Sequence, residues 1–194
     1  MVNWSAAQKW EAGWWGKCLN TYGEEEKQIL YAHKMGLKFH HDGKSPYVIN
    51  VSDKSIVDIG GGPISLLLKC VNLYNGVVVD PLLMPEWAQR RYISADIEVI
   101  SDKAENLMRT GFHEAWIYNC LQHTEDPELV IKRAQAAADI IRIFEWINTP
   151  SNEGHPNTLT IKKLNQWLDG EGKVEVLKGD AHCSGQCYYG IFPT

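Results

Sequence analysis

A strand that runs into three consecutive glycines limits the fold of this chain more than any other feature. The segment Val57-Asp58-Ile59-Gly60-Gly61-Gly62-Pro63 joins an apolar run to a periodic one. Glycines at such a junction permit a tight turn and let a ligand approach bare backbone. Asp80, 22 residues after Asp58, ends a second apolar run, Val77-Val78-Val79. In open α/β sheets the ligand crevice lies outside the carboxyl ends of the strands, and an acid ending the second strand can accept hydrogen bonds from both hydroxyls of a ribose. Loop and acid together read as a site for a nucleoside-containing cofactor.

The rest of the chain alternates around this junction. Strands are expected at residues 55–59, 76–80, 97–100, 115–119 and 139–146. Ile64, Leu67, Leu68 and Val71 recur at i, i+3, i+4 and i+7, which predicts an amphipathic helix after the glycine loop. Further helices are expected at residues 85–91, at 127–138 with Pro127 in the first turn, and after Thr160 as a cap. Residues 173–178 and 186–192 read as a closing hairpin with a long loop. Strands alternating with helices predict a parallel sheet covered on both faces, with antiparallel pairing at one edge. Upstream, residues 4–36 read as two helices. Ser5 is the expected cap of the first, which carries an apolar stripe of Ala7, Trp10, Trp14 and Cys18. Glu24, Glu25 and Glu26 open the second, where the helix dipole favours negative charge, and Gly36 fits just past its end. Residues 39–54 read as a polar connector with a short strand around 47–51.

Composition narrows the function. With 194 residues, 44% of them hydrophobic, the chain has one domain's worth of core-forming material. It has no apolar run near the ~18 residues of a membrane span and no basic start followed by an apolar stretch, so neither a membrane partner nor a signal peptide is expected. A net charge of -5 and the lack of a basic stripe argue against a nucleic-acid partner. The five cysteines form no disulfide framework, which suits a reducing, cytoplasmic setting. His155, His182, Cys183 and Cys187 are spaced more loosely than structural zinc ligands, and no metal is expected.

The type of cofactor follows from what the loop lacks. A dinucleotide fingerprint needs a third glycine, and Gly60-x-Gly62 is followed here by Pro63-Ile64-Ser65. No P-loop motif is present. Asp58, just before the glycines, matches a cationic ligand end better than a pyrophosphate. At these residues the chain resembles the class I S-adenosylmethionine-dependent methyltransferases, whose first motif places an acid and then G-x-G at the end of strand one. The resemblance runs over residues 55–192. It implies an α/β, Rossmann-like fold: a mostly parallel seven-stranded sheet of order 3-2-1-4-5-7-6, its last strand antiparallel and helices on both faces. The cofactor implied is S-adenosyl-L-methionine. Gly60, Gly61, Gly62 and Pro63 would line it, Asp80 would hold the ribose, and Pro81 and Leu82 would lie beside the adenine. Lys103-Ala104-Glu105-Asn106-Leu107 is similar to the loop that touches the adenine edge, through Ala104 and Glu105. The run from Trp116 to His123 resembles strand four and its loop, placing Asn119, Cys120, Leu121 and His123 against the cofactor.

The strand-four loop also bears on the acceptor. It has neither the N/D-P-P-Y type of motif of enzymes that methylate base amines nor a Pro-Cys nucleophile, so a small or medium-sized acceptor is expected, methylated at an O, N or C atom. Cys120 is read as a small packing residue. His123 sits on the ligand rim, where its near-neutral pKa suits proton transfer, or else it binds backbone at a helix entry. His155, in the Gly154-His155-Pro156-Asn157 loop, either meets the acceptor or organises its own turn. The N-terminal helices have no place in a seven-stranded core. Residues 1–54 are therefore expected to form a lid and connector, and 55–194 the core, with Trp14 and Trp15 excluding water from the cofactor. Two alternatives stand beside the methyltransferase reading. One is a nicotinamide oxidoreductase, weakened by the missing glycine and the lack of a Tyr-x-x-x-Lys pair; the other is a non-catalytic subunit that binds S-adenosylmethionine.

Overall fold

A computed structural model describes residues 4–17, 21–40, 48–179 and 183–194. The chain opens with helices α1 (Trp4–Lys17) and α2 (Tyr22–Lys34), followed by strands β1 (Phe39–His40), β2 (Val48–Ile59) and β3 (Cys70–Val79). Then come α3 (Glu86–Ser94), β4 (Ile97–Ile100), β5 (Phe112–Tyr118), α4 (Pro127–Ala137), β6 (Ala138–Trp146), α5 (Ile161–Leu168), β7 (Lys173–Leu177) and β8 (Gly185–Pro193).

The sheet order is β4-β3-β2-β5-β6-β8-β7, with the two-residue β1 added antiparallel to β2. Numbered from β2, the seven main strands run 3-2-1-4-5-7-6, the order expected. Strands β2 to β6 pair in parallel, and β8 runs antiparallel to both β6 and β7. Strand order therefore reverses at β2, between β3 and β5, which opens a crevice at the carboxyl ends of those strands.

Each face of the sheet has its own apolar layer. Val57, Ile117, Ile141 and Ile143 meet Val130, Ile131 and Ala134 of α4 and Leu164 of α5 on one side. Ile56, Val78, Trp116 and Phe144 meet Tyr31 and Ala32 of α2, Met35 just past its end, and Ala88 and Tyr92 of α3 on the other. Local chemistry sets the helix ends. Asp126 caps α4 by accepting from Leu129 N at 3.1 Å, and Thr160 caps α5 by accepting from Lys163 N at 3.3 Å. Gly36, at φ 76, ends α2: its N–H bonds His33 O at 3.0 Å and Leu37 N bonds Ala32 O at 2.9 Å. No described helix is long and apolar enough to cross a membrane.

Several expectations give way here. The helix predicted after the glycine loop is instead two short 3-10 turns, Gly62–Ile64 and Leu66–Lys69, separated by an extended Ser65 at φ -45 and ψ 145. Ile64, Leu66 and Leu67 are all buried, so the apolar residues fill a plug rather than one helical face. The short strands expected at 47–51 and 55–59 are a single strand, β2, kinked where Ser52 and Asp53 take positive φ and the pairing with β3 slips. The boundary expected after residue 54 therefore falls inside β2, and α2 belongs to the core. Ser5 lies within α1 rather than capping it. Ala7 is buried, but Trp10 and Trp14 are each 43% exposed, so the expected stripe is not a packed core face; Cys18 falls outside the described residues. His182 and part of the expected connector, residues 41–47, also fall outside them. Cys70, Cys120 and Cys187 are free thiols. Among the described residues no cluster of His, Cys, Asp or Glu is arranged to hold a metal ion.

Candidate active site

The crevice at the strand reversal opens into a cavity of about 450 Å³. Its floor is the glycine loop with Val79 and Asp80; the loops after β4 and β5 form one wall, and α1 and α2 close it from above. Most residues expected from the sequence line it: Gly60, Gly61, Gly62, Asp80, Pro81, Leu82, Ala104, Glu105, Asn119, Cys120, His123 and His155, with Trp14 and Trp15 from α1.

Asp58, Pro63 and Leu121 do not line the cavity. Asp58 was expected to face a cationic ligand, yet it is fully buried beneath the loop. Its Oδ2 accepts from Tyr118 OH at 2.5 Å and from Ser65 Oγ. The same tyrosine accepts from Leu66 N at 3.0 Å, while Tyr92 OH accepts from Ser65 N at 3.0 Å and donates to Gly62 O at 2.5 Å. Asp58 is thus the anchor of a buttress that shapes the glycine loop. Burial holds its carboxyl up at about 7, and its Oδ1 has no hydrogen-bond partner. Pro63 is buried in the first 3-10 turn, and Leu121 packs into the core below α4.

Asp80 faces the cavity. Its Oδ2 accepts from Gly62 N at 2.9 Å and its Oδ1 from Leu82 N at 2.8 Å. Each oxygen keeps a further lone pair for a ligand donor. Burial raises this carboxyl to about 6 despite the two backbone bonds. The glycines also have internal reasons. A side chain at Gly60, φ 73, would strike Cys120, and one at Gly61 would strike Asp58. Cys120 lies under the loop with its Sγ 3.2 Å from Ile59 O, and burial drives its thiol well above the usual range, away from the reactive thiolate. Glu145, beneath the β5 loop, accepts from Cys120 N and Leu121 N at 3.0 Å each, and burial raises it to about 8. Glu105 accepts from Glu125 N at 2.8 Å and Asp126 N at 3.0 Å, fixing the start of α4 against the cavity wall.

His123 combines both roles weighed from sequence. Its Nδ1 lies 2.8 Å from Gly154 O and 3.0 Å from Glu11 Oε1. Two acceptors at Nδ1 place the proton there and leave Nε2 as the acceptor, which the Gln122 amide Nε2 meets at 3.3 Å. Burial, reinforced by His155 with its ring centroid 4.6 Å away, lowers His123 to about 4. It is a neutral imidazole at neutral pH. His155 lines the cavity and also organises its turn: its N–H donates to Asn152 Oδ1 at 3.0 Å and its carbonyl accepts from Asn152 N at 2.9 Å.

Sequence reasoning missed Glu11. It borders the cavity on α1, and burial, then Asp80, raises it to about 7 although it accepts a hydrogen bond from Trp15. Other missed lining residues are Trp4, with the Lys103 ammonium 3.9 Å from its ring centroid, and Glu24, Lys27, Gln28 and Tyr31 on α2. The available signal was polar side chains at helical spacing on faces that turn inward. Helix α1 seats its indoles on glycines: Trp15 over Gly62, and Trp10 over Gly154.

Neither protein-family models nor curated proteins match the chain. Solved structures do. A SAM-dependent methyltransferase from Aquifex aeolicus aligns with TM-score 0.54 at 14% identity, covering 86% of this chain and 88% of that one. The YcgJ protein from Bacillus subtilis aligns with TM-score 0.52 at 11% identity over 66% of this chain and 65% of its own, so the match spans just under two thirds of its length. An O-methyltransferase from neocarzinostatin biosynthesis, solved with S-adenosyl-L-homocysteine and 1,4-dihydroxy-2-naphthoic acid, aligns with TM-score 0.53 at 14% identity over 86% of this chain and 56% of its own. At such identities the likeness speaks for architecture. The chain has the class I methyltransferase fold.

Proposed function

We propose that the chain transfers a methyl group from S-adenosyl-L-methionine to a small or medium-sized acceptor. The observation that carries this reading is Asp80. Its carboxylate sits at the strand reversal, is oriented by Gly62 N and Leu82 N, and keeps one lone pair on each oxygen for the two hydroxyls of a ribose. The residues fit an adenosyl ligand better than a dinucleotide. A pyrophosphate is held by the N-terminus of a helix behind the glycine loop, and here that position is taken by two 3-10 turns. The cavity also gathers four acids, Glu11, Glu24, Asp80 and Glu105, which suits a ligand bearing positive charge.

When bound, S-adenosylmethionine supplies a methyl group already activated by its sulfonium. The chain's own residues supply position, dryness and a base. Asp80 and the glycine loop hold the adenosyl end, with Pro81, Leu82, Ala104 and Glu105 around the base. Trp10, Trp14 and Trp15 of α1 cover the opening and exclude water. His123 Nε2 takes the proton of an acceptor hydroxyl or amine, and Gly154 O and Glu11 keep its Nδ1–H in place. Much of the rate comes from alignment, because the methyl donor needs little further activation.

Calorimetric titration with S-adenosylmethionine tests the reading. Wild type should bind, and Asp80→Ala should bind at least tenfold more weakly, from the loss of two charge-assisted hydrogen bonds worth about 1.5–3 kcal/mol each before non-additivity. Unchanged affinity in a folded Asp80→Ala variant would remove the assignment.

A further inference from the structure

Helix α2 turns polar side chains inward where an amphipathic helix should be apolar. Glu24, Lys27, Gln28 and Tyr31 stand at i, i+3, i+4 and i+7, and all four border the cavity. The three consecutive glutamates have separate tasks. Glu26 is exposed, and Glu25 pairs with Lys69 at 2.7 Å and Arg91 at 3.4 Å, tying α2 to the rest of the fold. Glu24 alone joins the cavity face, where its Oε1 lies 2.6 Å from Lys27 Nζ with both side chains largely buried. Such a buried pair is seldom retained for stability, since the desolvation cost offsets the attraction. Beside it Gln28 is 7% exposed, and its Oε1 has no hydrogen-bond partner. A buried amide with an unmet acceptor costs free energy unless something else satisfies it.

The arrangement has the complement of an amino acid's charged end. Lys27 has three donors and uses one on Glu24, leaving two for a carboxylate. Glu24 and the Gln28 amide offer acceptors for an ammonium, and the amide can rotate about its last side-chain bond to turn either end to the cavity. Acids also crowd this part of the cavity: burial, then Asp80, and also Glu24 raise the Glu11 carboxyl. An ammonium among these groups would relieve that repulsion. The glycine loop, which floors the same cavity, offers no charged side chain of its own to an amino-acid group. Building on the methyltransferase reading, we infer that Glu24, Lys27 and Gln28 of α2 form a clamp for the α-amino-carboxylate end of the cofactor. The N-terminal segment is then a binding element in its own right, completing a site whose adenosyl half is built by the sheet.

Two ligands that share the adenosyl half separate the clamp from the rest of the site. S-Adenosylhomocysteine carries the amino-acid tail, and 5′-methylthioadenosine lacks it. Calorimetry on the full chain should give tighter binding of the former to wild type. Lys27→Met should weaken S-adenosylhomocysteine by about tenfold to a hundredfold, the scale of lost charge-assisted hydrogen bonds, and leave methylthioadenosine within about twofold. Lys27→Arg should retain most of the affinity, and Gln28→Leu should weaken only the tailed ligand, by about tenfold. Unchanged methylthioadenosine binding reports that each variant is folded. Equal loss of both ligands, or loss of neither, overturns the clamp while leaving the adenosyl site intact. If neither ligand binds wild type, the functional reading fails and the clamp fails with it.

Discussion

Asp58 and Asp80 are hard to tell apart in the sequence, since each is an acid at the end of an apolar strand beside a turn. Their hydrogen bonds separate them. Asp58 accepts only from side-chain hydroxyls beneath the glycine loop, whereas Asp80 accepts only from backbone N–H groups and keeps its remaining lone pairs for the cavity. The distinguishing groups, Tyr118 and Ser65, lie 60 and 7 residues from Asp58, so no local pattern around the acid reveals its task. Glu11 was illegible for a similar reason: its partner His123 is remote in sequence and meets it only once α1 closes. That contact bears on catalysis. With an acceptor that supports turnover, His123→Ala should lower the rate by roughly 10²–10⁴ with a modest change in S-adenosylmethionine affinity. Glu11→Gln keeps the size of the side chain but weakens its hold on the Nδ1 proton, so it should cost about tenfold and shift the lower limb of the pH–rate profile. Near-wild-type rates for both variants would assign turnover to positioning alone.

At the scale of elements, strands β4, β5, β6 and β8, helices α3 to α5 and the two N-terminal helices were legible, because each is a periodic run bounded by a cap, a proline or a glycine. The segment after the glycine loop was not. Its apolar spacing fits a helix, yet the backbone N–H groups of Ser65 and Leu66 are taken by the hydroxyls of Tyr92 and Tyr118. Those tertiary bonds replace the intrahelical ones, and the local period loses to them. The two helices expected to form a lid pack differently. Tyr31, Ala32 and Met35 bury α2 against the sheet, whereas α1 leaves Trp10 and Trp14 each 43% exposed and rests on loops at Gly62, Gly154 and His123. Elements with few buried contacts open most easily. Hydrogen exchange should therefore show residues 4–17 gaining protection on addition of S-adenosylhomocysteine, while residues 28–35 stay protected throughout. Deleting residues 1–20 should leave a folded chain that binds the ligand weakly and releases it fast. Equal protection of α1 with and without saturating ligand would make it a packing helix.

Alternating strands and helices made a parallel sheet legible, whereas the strand order of the whole molecule came from the resemblance of the glycine loop and Asp80 to the class I methyltransferases. The electrostatic design was not legible, since it arises only when distant acids are buried together. Glu11, Asp58, Asp80 and Glu145 come from four different elements or their ends, and burial raises them to about 7, 7, 6 and 8. Each keeps a proton in the folded chain at a pH where the unfolded chain has lost it. Their contribution to stability is therefore complete below the ordinary carboxyl range and is lost as pH rises through these folded values. His123 acts in the opposite sense: held near 4, it costs stability at low pH and stops doing so once pH exceeds its ordinary value of 6.5. Between pH 6.5 and 8 the histidine slope has largely ended and the carboxyls decide the sign. The free chain should lose stability across that interval, by about 1.4 kcal/mol per pH unit where one net proton is released on unfolding. Thermal midpoints across this pH range measure it. Asp58 and Glu145 do not line the cavity, whereas Glu11 and Asp80 do. Saturating S-adenosylhomocysteine should thus flatten the slope without abolishing it, because ribose hydroxyls and an ammonium let the two cavity acids ionise in place. A free-chain midpoint that rises through the same interval would mean that these carboxyls are already ionised, and that the cavity is wetter than its geometry implies.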